Sequence, residues 1–417
     1  MKLKIGDASF LFASTVLVNA GNYLINLILG RVLGPEKFSE ASVIATAVLM
    51  LSFFAVGIQL CTAKFTAEYY AENNQDQIKV FNQWFNRRVL FISIAIGILI
   101  IVSSGGIQKF LQFNSPWPIV IIGAGIPFYF NLSVKRGYVQ GSDQFKKMAF
   151  TYLFEMILRF IFTFGLLFYV LSKFDYLTSE AVSVGFFCSF LAAVWLKLPV
   201  NKSTAEFKQV DQVKNFIFII IIYEFSQILI NNSDVILTKH FFSELDAGLY
   251  AAIALIGRVV FFGTWTIVTI LFPKVIQKEK LGEPHLQLFW ICFSIVLTFG
   301  IGIILACYIM PTFIIGLLFG EAYLSVAHLL WKYAIATTLF ACANVFAYYY
   351  MSLNKYFPVA LSVLAGIAQV VLIYIFHESI EEIIIIQIYL MCALLLIMVM
   401  YQLYEEKFEH SRQIVQH

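Results

Sequence analysis

The sequence predicts an all-α integral membrane protein of about twelve transmembrane helices, arranged as two parallel-repeat bundles of six. Three observations predict it: an apolar excess too large for a buried core, twelve apolar runs of membrane-spanning length, and short internal matches at offsets of 208 and 212 residues.

Hydrophobic residues make up 60% of the 417 residues and charged residues 13%, with a mean hydropathy of +0.83. Soluble domains carry roughly 45–50% apolar and about 25% charged residues. One core cannot hide the excess, because soluble chains of this length split into domains with ordinary surfaces. The surplus must face lipid. A net charge of +3, with basic residues spread over loops, argues against a nucleic-acid partner. The six cysteines all fall in apolar runs without CxxC spacing, so they read as small buried hydrophobes. The N-terminal run, which follows Lys2 and Lys4 and continues to about Leu29, exceeds a signal-peptide core and reads as a retained first helix.

A spanning helix needs roughly 20 mostly apolar residues. The runs fall at 9–30, 40–63, 89–106, 116–134, 148–171 and 178–197, then at 215–238, 246–272, 286–308, 325–351, 357–376 and 382–404. They predict an N-terminal lobe over 1–200, a cytoplasmic linker over 201–214 and a C-terminal lobe over 215–417. Basic residues test the topology. With a cytoplasmic N-terminus, only Arg31, Lys37, Lys109, Lys173 and Lys239 fall outside, and Arg159, Arg258 and Lys332 fall within spans. All other Lys and Arg lie inside, as the positive-inside rule requires, which leaves both termini cytoplasmic.

The repeat shows at two junctions. RVLGPEKFSEASVIATA, at the end of span 1, parallels KHFFSELDAGLYAAIA at the end of span 7, and YVQGSDQF (138–145) parallels YMSLNKYF (350–357). Six helices separate the copies, an even number, so both halves insert in the same direction.

Polar groups in hydrocarbon are costly and tend to face a partner or a cavity. Span 1 carries Asn19, Asn22 and Asn26 on one helical face, and span 7 carries Glu224, Gln227, Asn231 and Asp234 likewise. These stripes read either as interhelical glue or as walls of a wet cleft. Glu155 and Arg159 stand at i, i+4 on span 5, in reach of a local ion pair. Arg258 has no acid within one turn of its own helix. It reads as a cavity cation suited to phosphate, or as the partner of a distant carboxylate such as Glu224. Lys332, beside Trp331, either lines the cavity or snorkels to the interface. Glu155, Glu224 and Asp234 are candidates for ion coupling, Glu224 first, because a carboxyl taken out of water holds its proton more readily. Asn22, Asn26, Arg159, Asn231, Arg258 and Lys332 are candidates for substrate binding. The histidines lack metal spacing, and no GxxxxGK[ST] motif is present, so neither a metal nor ATP is expected.

The stretches LGRVLGPEKFSEASVIATAVLML (29–51) and NNSDVILTKHFFSELDAGLYAAIALIGRVVFF (231–262) resemble the Wzx-like oligosaccharide flippases of the MOP exporter superfamily, which includes the MATE drug exporters. YVQGSDQF and the span-10 stretch ending MSLNKY support the likeness, and the layout covers essentially the whole chain. The resemblance implies a V-shaped pair of six-helix lobes working by alternating access in a bacterial or archaeal cytoplasmic membrane. It implies an undecaprenyl-diphosphate-linked oligosaccharide as cargo, H+ or Na+ as coupling ion, no cofactor, and membrane lipids and other polysaccharide-assembly proteins as partners. Two alternatives stand beside it. One is a cation-coupled MATE-like exporter of small amphiphiles. The other is a membrane-embedded glycosyltransferase or polymerase, against which the apolar outside stretch 309–324, with Glu321 as its one acid, already argues.

Overall fold

The computed structural model describes residues 5–72, 74–173, 177–196, 198, 207, 209–280, 283–353 and 355–415. Lys2, Lys4 and half of the expected linker (201–206 and 208) lie outside them. Thirteen α-helices and two short 3-10 segments make up the described chain, with no strand among the described residues. In order the helices are α1 (Ile5–Ala71), α2 (Gln75–Val102), α3 (Ser104–Phe110), α4 (Trp117–Gly141), α5 (Phe145–Lys173), α6 (Thr178–Phe190) and α7 (Val210–Phe241). The second half continues with α8 (Glu244–Lys280), α9 (Leu286–Ile309), α10 (Pro311–Leu318), α11 (Leu330–Ser352), α12 (Phe357–Ile375) and α13 (Ile380–Val415).

The expected all-α membrane fold is what the chain adopts, and every apolar run falls in or across these helices. Among the described residues, nine helices are long and apolar enough to cross a membrane. Their surfaces fit lipid as solvent: only 22% of the apolar windows of α2 and α9 is buried, and Phe91, Val102 and Tyr389 stand more than 70% exposed.

Three details differ from the sequence expectation. Spans 1 and 2 share one 67-residue helix with a kink where a loop was expected. Gly34 sits at φ 72°, ψ 170°, a conformation closed to side-chain-bearing residues, and Pro35 follows without an N–H to donate. Two residues thus break the hydrogen-bond ladder, and helix resumes on both sides. Span 6 is short, α6 passing into a 3-10 segment, Leu191–Val194. The stretch 309–324 is not an open loop but mostly α10 and the start of a second 3-10 segment, Glu321–Leu329.

The chain divides into two compact units, Met1–Phe225 and Ser226–His417, the division falling within α7. Residues 210–214, expected in the linker, form the first turn of α7. In the first unit α4 packs closely on α1 because its GYVQG segment has no side chain at the contact. A Cβ on Gly137 would stand 2.4 Å from the Gln59 carbonyl oxygen, and one on Gly141 2.5 Å from that of Ala63. In the second unit Gly257 of α8 similarly admits the Tyr333 ring of α11, whose Cδ1 would meet a Cβ at 2.2 Å.

The repeat has a structural counterpart. The α4–α5 turn closes with the Gln144 N–H donating to the Val139 carbonyl (2.9 Å), and the α11–α12 turn with Lys355 donating to Tyr350 (2.9 Å). Both are five-residue closures at the matched YVQGSDQF and YMSLNKYF segments. The other matched junction reaches one result by two means. Gly34–Pro35 kinks α1, whereas Ser243 caps α8, its Oγ accepting from the Asp246 N–H at 3.2 Å.

Candidate functional site

Each unit holds a buried polar cluster. In the first, α5 carries Glu155 and Arg159 one turn apart, and Arg159 Nη2 donates to Glu155 Oε1 at 2.5 Å. The second carboxylate oxygen accepts from Arg136 Nη1 of α4 at 2.8 Å. One carboxylate therefore joins two guanidiniums, all three residues being less than 9% exposed. Arg136 is steadied by Nε donating to Thr151 Oγ1 (2.9 Å) and by the Tyr152 ring, 3.9 Å from its guanidinium carbon. Arg159 lies 4.6 Å from the Phe186 ring centroid, and its Nη1 donates to Asn22 Oδ1 of α1 at 2.7 Å. The Asn26 amide donates to the Asn22 carbonyl oxygen at 2.9 Å. Four expected site residues, Asn22, Asn26, Glu155 and Arg159, thus come together.

With its three ionisable groups charged, this cluster carries a net charge of +1. Arg136 Nη2 and Arg159 Nε are buried and have no hydrogen-bond partner among the described residues. Such donors in a low-dielectric site favour an anion that brings several acceptor oxygens. Glu155 is a structural counter-charge here, with both oxygens engaged.

Sequence reasoning missed Arg136. Its apolar run ends at residue 134, which put Arg136 in an inside loop beside Lys135. In the structure α4 continues to Gly141 and Arg136 is 3% exposed. The available signal was the lack of any Gly or Pro, the strongest helix breakers, between Phe130 and Gly137, which lets the helix run on through both basic residues.

The second cluster is neutral. Asp234 of α7 accepts from Arg258 Nη2 of α8 at 3.3 Å, from Tyr250 Oη at 2.9 Å and from Tyr333 Oη at 2.7 Å. Gln387 of α13 donates to Tyr250 Oη at 2.9 Å, so four helices meet at one carboxylate. Arg258 is therefore paired, and with Asp234 rather than Glu224. No acid lies within one turn on its own helix, but the adjacent helix supplies one. Asp234 is 1% exposed and fully engaged.

The remaining residues lie apart from both clusters. Asn231 donates to the Gln227 carbonyl oxygen (2.9 Å), while Gln227 and Asn344 exchange amide hydrogen bonds at 3.0 and 3.2 Å. Gln227 and Asp234 of the α7 stripe thus hold helices together instead of facing water, and Asn231 bonds back to its own helix. On α1, Asn19 is exposed, whereas Asn22 and Asn26 of the first cluster are half-buried. Lys332 donates to Glu381 Oε1 at 2.5 Å, a half-exposed pair between α11 and α13. Glu224 is 4% exposed, with Oε2 unpartnered among the described residues. No group of three or more His, Cys, Asp or Glu residues is placed to hold a metal ion among the described residues.

The family model described as polysaccharide biosynthesis protein matches residues 6–279 of this chain, more than half its length. The chain belongs to this family. Its fold is shared with solved transporters described as MOP-superfamily members, as the 29–51 and 231–262 segments led one to expect. It is similar to an inward-facing MATE multidrug-resistance transporter (11% identity, 94% of this chain and 96% of that one covered, TM-score 0.73). It is equally similar to the lipid II flippase MurJ in an inward closed conformation (13% identity, 94% and 87% covered, TM-score 0.74). A MOP transporter from Pyrococcus furiosus, described as having a binding pocket of reverse polarity, aligns at 14% identity over 96% and 94%, with a TM-score of 0.57. No curated protein sequence matches the chain significantly. The family member described here is thus a multi-pass membrane protein with a transporter fold, and the identities to these structures carry the fold alone.

Proposed function

We propose that this member of the family is a flippase that moves an undecaprenyl-diphosphate-linked oligosaccharide from the cytoplasmic to the outer leaflet by alternating access. The observation that carries the reading is the net cationic Arg136–Glu155–Arg159 cluster with its two unpartnered buried donors. A diphosphate presents pairs of oxygens on tetrahedral phosphorus, which the planar fork of a guanidinium recognises bidentately. Half-buried Asn22 and Asn26 on the adjoining face offer amide donors and acceptors of the kind sugar hydroxyls take. Family membership and the MurJ-like fold point the same way. The basic-residue count supports cytoplasmic termini.

The cation-coupled exporter of amphiphiles is the weaker reading, because a +1 cluster repels a cationic cargo. Its remaining support is Glu224, a buried carboxyl without a partner on one oxygen, which is also the best candidate for H+ or Na+ coupling of the flippase. Asp234 and Glu155 are less suited, each being held by cationic partners.

The test is deletion of the gene in its host, with measurement of lipid-linked glycans and surface polymer, followed by complementation with Arg159→Gln and Arg159→Lys. Loss of surface polymer with accumulation of undecaprenyl-diphosphate glycan, unrescued by Arg159→Gln, is expected. Normal surface polymer with new sensitivity to cationic drugs would make the exporter the correct reading.

A further inference from the structure

A second basic site lies in the first unit, on α2. Its apolar run from Val89 to Val102 comprises 14 residues, about 21 Å of helix, against a hydrocarbon core of about 30 Å. Arg87 and Arg88, which precede that run, stand exposed at its polar edge. Neither has an acidic partner among the described residues. They open onto a cleft of about 920 Å³ that Trp84, Phe207 and the exposed Phe91 also line. The Arg88 guanidinium lies 4.5 Å from the Trp84 ring centroid, and Trp84 packs against Phe207 at 4.8 Å. Gln83 Oε1, on a residue that also lines the cleft, is buried and has no donor among the described residues.

We infer that this cleft binds an anionic membrane phospholipid whose headgroup carries free hydroxyls. Three features select that occupant. Two uncompensated arginines one residue apart fit a phosphate diester, each adding to attraction for an anionic headgroup. The unpaired Gln83 acceptor calls for a donor, which a glycerol or inositol hydroxyl supplies and a choline headgroup lacks. The exposed apolar face continuing from Phe91 along α2 accommodates an acyl chain, so the ligand is amphiphilic and not a free anion. The site is independent of the Arg136–Glu155–Arg159 cluster and of the transport reading.

Native mass spectrometry of the full-length protein in detergent, titrated with phosphatidylglycerol or phosphatidylcholine, tests this. Phosphatidylglycerol is expected to bind preferentially. Arg87→Gln/Arg88→Gln should weaken its binding roughly 25-fold, about fivefold per arginine. Lys146→Gln/Lys147→Gln, which removes the same charge from an exposed pair at the start of α5, should leave binding within about twofold. Both arginines are exposed, so folding is expected to survive, and monodisperse elution checks it. An equal loss in both double variants would reduce the effect to general charge attraction and overturn the inference. So would an unchanged affinity in the arginine variant, or displacement of the lipid by inorganic phosphate at equal concentration.

Discussion

Removing the Glu155 carboxylate is the sharpest test of the first cluster. Glu155→Gln keeps the side-chain shape but leaves Arg136 and Arg159 charged, less than 9% exposed and without a counter-ion. Breaking a buried ion pair from one side costs about 3–5 kcal/mol, because an uncompensated charge stays desolvated. Two guanidiniums, at 2.8 and 2.5 Å from the same carboxylate, lose their partner together, so the upper part of that range applies. At about 2–4 °C per kcal/mol for a unit of this size, the apparent Tm should fall by roughly 8–20 °C. Thermal unfolding of the detergent-solubilised protein, followed by intrinsic fluorescence, reads this. Asp76→Asn supplies the contrast, since its pair with Lys79 is 90% and 36% exposed at the two side chains and should shift Tm by under about 2 °C. Arg159→Gln leaves Arg136–Glu155 intact, so it should be milder than Glu155→Gln while abolishing transport. Equal Tm values for Glu155→Gln and the wild type would refute the picture of two buried guanidiniums sharing one carboxylate, and the net-cationic site with it.

Three further outcomes follow from the packing. Asp234→Asn strands Arg258 and should destabilise strongly, and Asp234→Asn/Arg258→Gln should recover part of the loss, with a coupling of about 1–3 kcal/mol in a double-mutant cycle of unfolding measurements. Gly137→Leu should block the α1–α4 approach, since even a Cβ would meet the Gln59 carbonyl at 2.4 Å; membrane accumulation should drop sharply, and Gly165→Leu, with open space around its Cβ, should not lower it. Lys332→Gln breaks only a half-exposed pair with Glu381, so stability should change by under about 1 kcal/mol and complementation of the deletion should persist.

The candidate site was partly legible before any coordinates. Glu155–Arg159 could be read because both partners share one helix and the 3.6-residue period alone puts them in reach. Asn22 could be placed on a face of span 1 by the same rule, though not opposite Arg159. Arg258 was left open between a cavity and a distant acid, since the carboxylate that binds it stands 24 residues earlier on another helix. The α7 stripe illustrates the limit. Periodicity put Gln227, Asn231 and Asp234 on one face, but Asn344, Tyr250 and Tyr333 decided that Gln227 and Asp234 would be buried.

The sequence alone determined that this chain lives in a membrane and which apolar runs fall in its helices, though not where each helix starts and stops. Lipid imposes a one-dimensional rule: every backbone polar group must be satisfied within the segment, so length and hydropathy suffice. The LGPE segment reads in sequence as a turn between two helices, whereas the structure makes Gly34–Pro35 a kink inside one. Only the tertiary structure decided which buried charges cancel and which remain. Asp234 neutralises Arg258, whereas Glu155 must serve both Arg159 and an Arg136 that hydropathy had assigned to a loop. In a low-dielectric interior that residual charge depends on contacts a few ångströms long between residues far apart in sequence, and no periodicity encodes them.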